Sequence, residues 1–281
     1  MNHVEDGPRT RAANPLSSPS VTSVLLIGTD GRSLDEQGRS DTMMLLSLNS
    51  ATNELSMTSF MRDCYVEIPG VGWNKLNAAY SFGGATLVMD TIEHNFDVEI
   101  DDYVCINFLS FASIVDSVGG IDLSVSDAEA GEINTILQAE VNEIMGDAVD
   151  SDLLSSGGKL HLNGKQALSF ARIRYIGNAD FERTERQREV IDKVLDKIKT
   201  LNPAIISRLS SNVMPQVTTN MSTMQLYVLS LRLPFVARYD RQQIQIPYEN
   251  TFYGQSTDAG DALIVDFNAN YNIILEKVFG G

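Results

Sequence analysis

Five arginines, Arg172, Arg174, Arg183, Arg186 and Arg188, fall within residues 169 to 191, SFARIRYIGNADFERTERQREVI, of a 281-residue chain with only 21 basic residues against 37 acidic ones. The planar fork of arginine binds phosphate or carboxylate oxygens in pairs, and a cluster of such forks repels itself unless an anion shares it. Two anions are open from spacing alone. One is phosphate. A helix starting near Arg183 places Arg183 and Gln187 one turn before an inner stripe of Val190, Ile191, Val194, Leu195 and Ile198, and its positive end adds to them. Arg172 and Arg174, two apart, point the same way if their segment is extended. The other anion is internal: Asp180, Glu182, Glu185 and Glu189 would hold the arginines in a solvated network. Arg186 and Arg188 flank the stripe and are expected at the surface.

Paired carboxylates form a second constellation. A short apolar run, VTSVLLIG, ends in Thr29-Asp30-Gly31-Arg32, and the runs DTMMLLSLN and LSMTSFM follow across polar turns. Adjacent antiparallel strands bring Asp30 near Asp41, and Arg62 and Asp63 leave the third strand at the same edge. Two hard oxygen ligands beside a phosphate suit Mg²⁺, while strand-end aspartates bonding to turn amides are the structural alternative. His3, His94 and His161 are scattered and give no metal cluster. GGKLHLNGKQ lacks the glycine spacing and hydroxyl of a phosphate loop, and no nucleophile elbow is present.

A formal charge of -16 disfavours a nucleic-acid partner, which needs broad positive surface. Cys64 and Cys105 are too few for a disulfide scaffold; one bridge or two buried thiols are both open. No run of 18 apolar residues and no signal-peptide pattern occurs, so the chain reads as soluble. Residues 1 to 20 are polar and rich in Pro and Ser, which reads as a leader or linker.

The elements that must position these side chains alternate. A helical spacing over 76 to 95 is interrupted at Gly83-Gly84; DYVCINF reads as a strand, LSFASIVDSV as a helix closed by Gly119-Gly120, and IDLSV as a strand. Residues 126 to 158 are acidic and partly helical and read as an insertion or lid with no chemistry attached. Asn163 is a plausible cap for a helix over 164 to 170. LRLPFV, QQIQIPY, ALIVDF and NYNIILEKVF are expected as helix, strand, strand and helix completing the sheet. The alternation predicts one α/β/α layered domain over 21 to 281, a central mixed sheet flanked by helices.

The ordered motifs LLIGTDGR, GRSDTMMLLSLN, FMRDCYVEIPG, KLNAAYSFGG, DYVCINFLSFASIVDSVGGID, LNGKQALSFARIRY and DFERTERQREVI resemble the LytR-CpsA-Psr family over roughly residues 23 to 230. The resemblance implies a domain at the extracytoplasmic face of the bacterial membrane, normally anchored by an N-terminal helix. It implies transfer of a glycopolymer from a polyprenyl-pyrophosphate carrier to peptidoglycan, with the lipid in an apolar tunnel and the pyrophosphate at its mouth with Mg²⁺ or Mn²⁺. Carried over by motif, Asp30 and Asp41 match metal-associated aspartates. Arg62, Arg172 and Arg174 match pyrophosphate-binding arginines, and Arg39, Lys75, Asp180, Arg183 and Gln187 complete the site. Asp41 and Asp180 are candidates for a general base. A pyrophosphatase acting with water, or a carrier-binding protein without turnover, would keep the same arginines.

Overall fold

The computed structural model describes residues 2–3, 15–29, 40–174, 179–199 and 203–280. In chain order the elements are β1 (Asn2–His3), β2 (Val21–Thr29), β3 (Ser40–Asn49), β4 (Glu54–Phe60), β5 (Cys64–Ile68), β6 (Gly72–Lys75), α1 (Ala78–Phe96) and β7 (Asp102–Ile106). Next come α2 (Phe108–Ser117), β8 (Ile121–Val125), α3 (Asp127–Ile136), α4 (Asn142–Met145), β9 (Gly158–Leu162), α5 (Gly164–Arg172), α6 (Ala179–Ile198) and α7 (Pro203–Arg208). The chain closes with β10 (Thr218–Thr219), α8 (Thr223–Val236), β11 (Asp240–Ile246), β12 (Phe252–Thr257), β13 (Gly260–Val265) and α9 (Phe267–Ile274). This is the mixed α/β class that the alternation implied. By packing, the elements cluster into two compact units.

The first unit, Asn2–Ile106, Thr218–Leu226 and Tyr239–Gly281, is built on a seven-stranded sheet of order β1-β10-β7-β2-β3-β4-β11. β2 pairs with β3 antiparallel and β7 parallel, so the run VLLI is central in the sheet, where continuous apolar sequence belongs. Leu25, Ile27, Met44, Leu45 and Met57 are buried. α1 lies against β3 and β7, and its Phe96 stacks on Phe60 with ring centroids 5.0 Å apart. Gly83 and Gly84 take non-helical angles and kink α1, as their sequence position suggested. A four-stranded sheet, β12-β13-β5-β6, completes the unit. β11 therefore joins the large sheet as expected, whereas β13 belongs to the second sheet. Structure also begins before Val21: Leu16 bridges Val98 and β1 pairs with β10.

Cys64, in β5, and Cys105, in β7, are buried free thiols. Burial raises the pKa of both, that of Cys105 to about 12, so neither is a thiolate nucleophile. The bridge left open by their number is not formed.

The second unit comprises Asn107–Val217 and Tyr227–Arg238. β8 does not enter a large sheet but pairs antiparallel with β9 alone. Helices α2, α3, α5 and α6 pack together, and α6 also lies against β8. The N-termini of α2, α3 and α5 are fixed by their own sequence. Asn107, Ser126 and Asn163 close capping boxes with Ser110, Glu129 and Gln166, each pairing two amides that the first turn cannot bond. Gly164 lets α5 approach α2, because a Cβ there would run into the Ala112 carbonyl.

Candidate functional site

In the first unit the register of β3 and β4 builds an alternating row of charges. Met43 pairs with Phe60, so Asp41 and Arg62, each two residues further out, meet at the same sheet edge. Arg62 Nη1 donates to Asp41 Oδ1 at 2.7 Å, and its Nε lies 3.4 Å from Asp63 Oδ2. Lys75, the last residue of β6, donates to Asp63 Oδ1 at 2.9 Å. The Leu76 amide bonds to the Cys64 carbonyl and the Asn77 amide to the Arg62 carbonyl, which fixes the chain on either side. All four side chains are one-fifth to about one-quarter exposed, so the row is reachable from solvent. Thr29, preceding Asp30, pairs with Ser40, preceding Asp41. Asp30 and Arg39 themselves lie outside the described residues. Among the described residues no group of three or more metal-ligating side chains gathers; Asp41, partly exposed, is one hard oxygen donor of the kind Mg²⁺ takes beside substrate phosphates.

In the second unit α5 carries Arg172 into its last turn, where the negative helix end favours a cation. Arg172 Nη2 donates to Glu140 Oε2 at 2.6 Å, and the guanidinium sits 4.2 Å from the Phe108 ring centroid. Glu140 lies on a π-helical turn, Leu137–Val141, joining α3 to α4. Arg172 Nη1 is buried with no acceptor among the described residues. The expectation that Arg172 and Arg174 lie on one extended segment is corrected: Arg172 is helical, and only Ile173, the cap, turns to extended ψ. Ile173 is buried, while Arg174 is exposed.

α6 begins at Ala179, four residues earlier than its apolar periodicity indicated. Arg183 and Gln187 are therefore in the second and third turns. They are buried, as the wheel placed them, but so are Arg186 and Arg188, which were expected at the surface. The reason is that α6 is enclosed by α5 along one side and β8 along another, so its flanks are covered as well as its inner stripe. Arg186 donates from Nε to Glu129 Oε1 at 3.1 Å and from Nη2 to Glu182 Oε2 at 2.9 Å; its Nη1 has no acceptor among the described residues. Burial works to raise the Glu129 pKa, but the Ser126 amide and hydroxyl and Arg186 outweigh it and hold the carboxyl below its ordinary value. Burial lowers the pKa of Arg188 against the pull of Glu185. Burial, opposed by Lys193 and assisted by Glu129, Glu185 and Asp192, raises that of Glu189. The Asp180 side chain lies outside the described residues.

Of the four acids named for an internal network, Glu182 meets Arg186; Glu129, which was not among them, meets it too. Sequence reasoning missed Glu140 and Phe108 as companions of Arg172. No local spacing reveals Glu140, which is 32 residues away. Asp63 was visible beside Arg62, but its bond to Lys75 depends on β5 and β6 pairing Tyr65 with Lys75.

Residues 2–270 match the LytR_cpsA_psr family model. The chain is similar to a polyisoprenyl-teichoic acid–peptidoglycan teichoic acid transferase, TagU, of Enterococcus faecalis, 39% identical over 66% of this chain and 57% of that one. It is 34% identical to the TagU transferase of Bacillus cereus, over 72% of this chain and 62% of that one. The chain thus spans about three-fifths of the length of these curated relatives. A solved structure described as TagT bound to LI-WTA superposes with a TM-score of 0.77 at 25% identity, covering 99% of this chain and 98% of that one.

Proposed function

The chain belongs to the LytR-CpsA-Psr family, and from that premise we propose that it transfers a glycopolymer from a polyprenyl-pyrophosphate carrier to peptidoglycan at the outer face of the bacterial membrane. The observation that carries the reading is the arginine segment. Arg172 pairs with Glu140 through Nη2 and keeps a buried Nη1 with no acceptor among the described residues, in an acidic protein that gathers five arginines into this segment. Burying guanidinium groups is costly without a matching anion. A pyrophosphate supplies such oxygens, and a teichoic acid carrier is what the relatives' names describe.

In the reaction a hydroxyl of the peptidoglycan acceptor attacks the glycan-side phosphorus. A new P–O bond forms, the bond to the bridging oxygen breaks, and polyprenyl phosphate leaves with the electron pair. The acceptor proton is released to solvent or a base. We assign Arg172, Arg174, Arg183 and Gln187 to pyrophosphate binding in the second unit. In the first, Arg62 and Lys75 meet phosphate oxygens while Asp41 and Asp63 hold them in place. Fixed cations aimed where charge develops are the main contribution to such a transfer. Mg²⁺, when bound, would be held by Asp41 with Asp30 and would neutralise phosphate charge; Arg39 and Asp180 are assigned to the site on family motif alone.

The test is incubation of the chain with a labelled lipid-pyrophosphate-linked glycan and peptidoglycan. Covalent glycan phosphate on peptidoglycan is expected. Release of free glycan would make the protein a pyrophosphatase, and tight binding without either product would make it a carrier-binding protein.

A further inference from the structure

α8 is apolar on two faces. Leu226, Leu229 and Leu233 are half-buried and Val236 is buried. On the other side Met224, Tyr227, Val228, Leu231 and Phe235 are between 39% and 69% exposed. At 3.6 residues per turn these five fall within an arc of about 100°. A helix that is apolar all round is ordinarily covered on every side, and a continuous exposed apolar stripe marks a surface that something covers.

The charge around the helix indicates what covers it. From residue 197 to residue 239 the chain has no Asp or Glu, although the whole chain carries 37 acidic residues; Lys197 and Lys199 pair with Asp122 and Asp196, and Arg232 and Arg238 are the cations next to the stripe. Arg232 is exposed at the edge of the stripe, and Arg238 is exposed just beyond the helix end. The complement is therefore apolar and anionic together. A second copy would bring two such basic segments face to face, where they repel. At 14 residues the helix is too short to span a bilayer, which takes about 20. Its exposed apolar stripe, its aromatic Tyr227 and Phe235 and Arg232 at the edge suit a helix lying in the interface plane.

We propose that α8 docks on an anionic phospholipid surface, with the stripe from Met224 to Phe235 in the boundary between headgroups and acyl chains and Arg232 and Arg238 on lipid phosphates. The contact stands whether or not the chain transfers a glycopolymer. Sedimentation of the whole chain with vesicles tests it. The protein should pellet with vesicles of phosphatidylglycerol and phosphatidylcholine, much less with phosphatidylcholine alone, and less as salt rises. Leu231→Ser with Phe235→Ser should lower partitioning by about tenfold or more, with the melting temperature unchanged because both side chains are exposed. Arg232→Gln, which removes no apolar contact, should lower it about fivefold on anionic vesicles alone. Absence of binding to anionic vesicles, or binding that these variants leave unchanged, overturns the proposal. So does a stable dimer in light scattering that the double variant abolishes.

Discussion

The two charged regions are built on opposite principles. In the row Asp41, Arg62, Asp63 and Lys75 every cation has a carboxylate within 3.4 Å, two charges of each sign cancel, and all four side chains keep some contact with solvent. In the arginine segment Arg183, Arg186 and Arg188 are buried, while Arg172 is about as exposed as the row. Glu140 meets Arg172, and Glu129 and Glu182 meet Arg186 at two nitrogens, while Gln187 Oε1 is buried without a donor among the described residues. The row is a set held in position by its own neutrality. In the proposed reading the segment is kept for an outside anion, and one nitrogen each of Arg172 and Arg186 has no acceptor among the described residues.

The comparison breaks most readily through activity. Arg172→Ala should lower glycan transfer by about 100-fold, since it removes a charge-assisted donor from the reacting phosphates; its fold should survive, because the side chain lies at the end of α5. If Arg172 is merely a partner for Glu140, transfer will be unaltered while stability falls.

Asp41→Asn should reduce transfer by about tenfold or more, because the amide neither holds Arg62 as an ion pair nor serves a divalent cation well. Activity should recover in part with added Mg²⁺ if the cation is involved. A profile identical to the parent across a metal titration would leave the row as structure only.

A finer probe is Glu140→Gln. The guanidinium keeps its seat on Phe108 but loses a partly exposed ionic partner, so a change of about threefold to tenfold in the KM for the lipid substrate is expected, with kcat less altered. A stability loss with unchanged KM would assign Glu140 to packing alone.

The smallest effect is on pH dependence. The folded pKa of Glu129 lies below its ordinary value of 4.5. Its contribution is therefore complete above that value and is lost as pH falls through the folded pKa. Glu129→Gln should lower the melting temperature at pH 7 and flatten its decline below about pH 4.5, an acid limb that thermal scans over pH will show.

The first charged row was legible in the sequence because antiparallel pairing is local: three runs joined by short turns determine that Asp41 and Arg62 share an edge. The arginine segment was legible as a cluster but not in its geometry. Apolar periodicity begins only at Val190, so it says nothing of the polar turns that start α6 at Ala179. It also treats the flanks of a helix as wet, and Arg186 and Arg188 are covered by elements that sequence spacing does not place. β12, FYGQST, escaped because most of its side chains are polar or exposed, and β9, GKLHL, because only Leu160 and Leu162 face inward in so short a run; the strand state of both comes from pairing with β13 and β8. Tertiary closeness, not local pattern, brings Glu140 to Arg172.

Ligand-induced stabilisation tests most directly whether the arginine segment is kept for a pyrophosphate. A thermal-shift series with polyprenyl pyrophosphate and the matching polyprenyl alcohol should show a rise in melting temperature with the first and a much smaller one with the second. Arg172→Ala and Arg183→Ala should each shrink the difference. Equal shifts from both lipids, or a pyrophosphate shift undiminished in both variants, would contradict the account and leave the segment as an internal ion network.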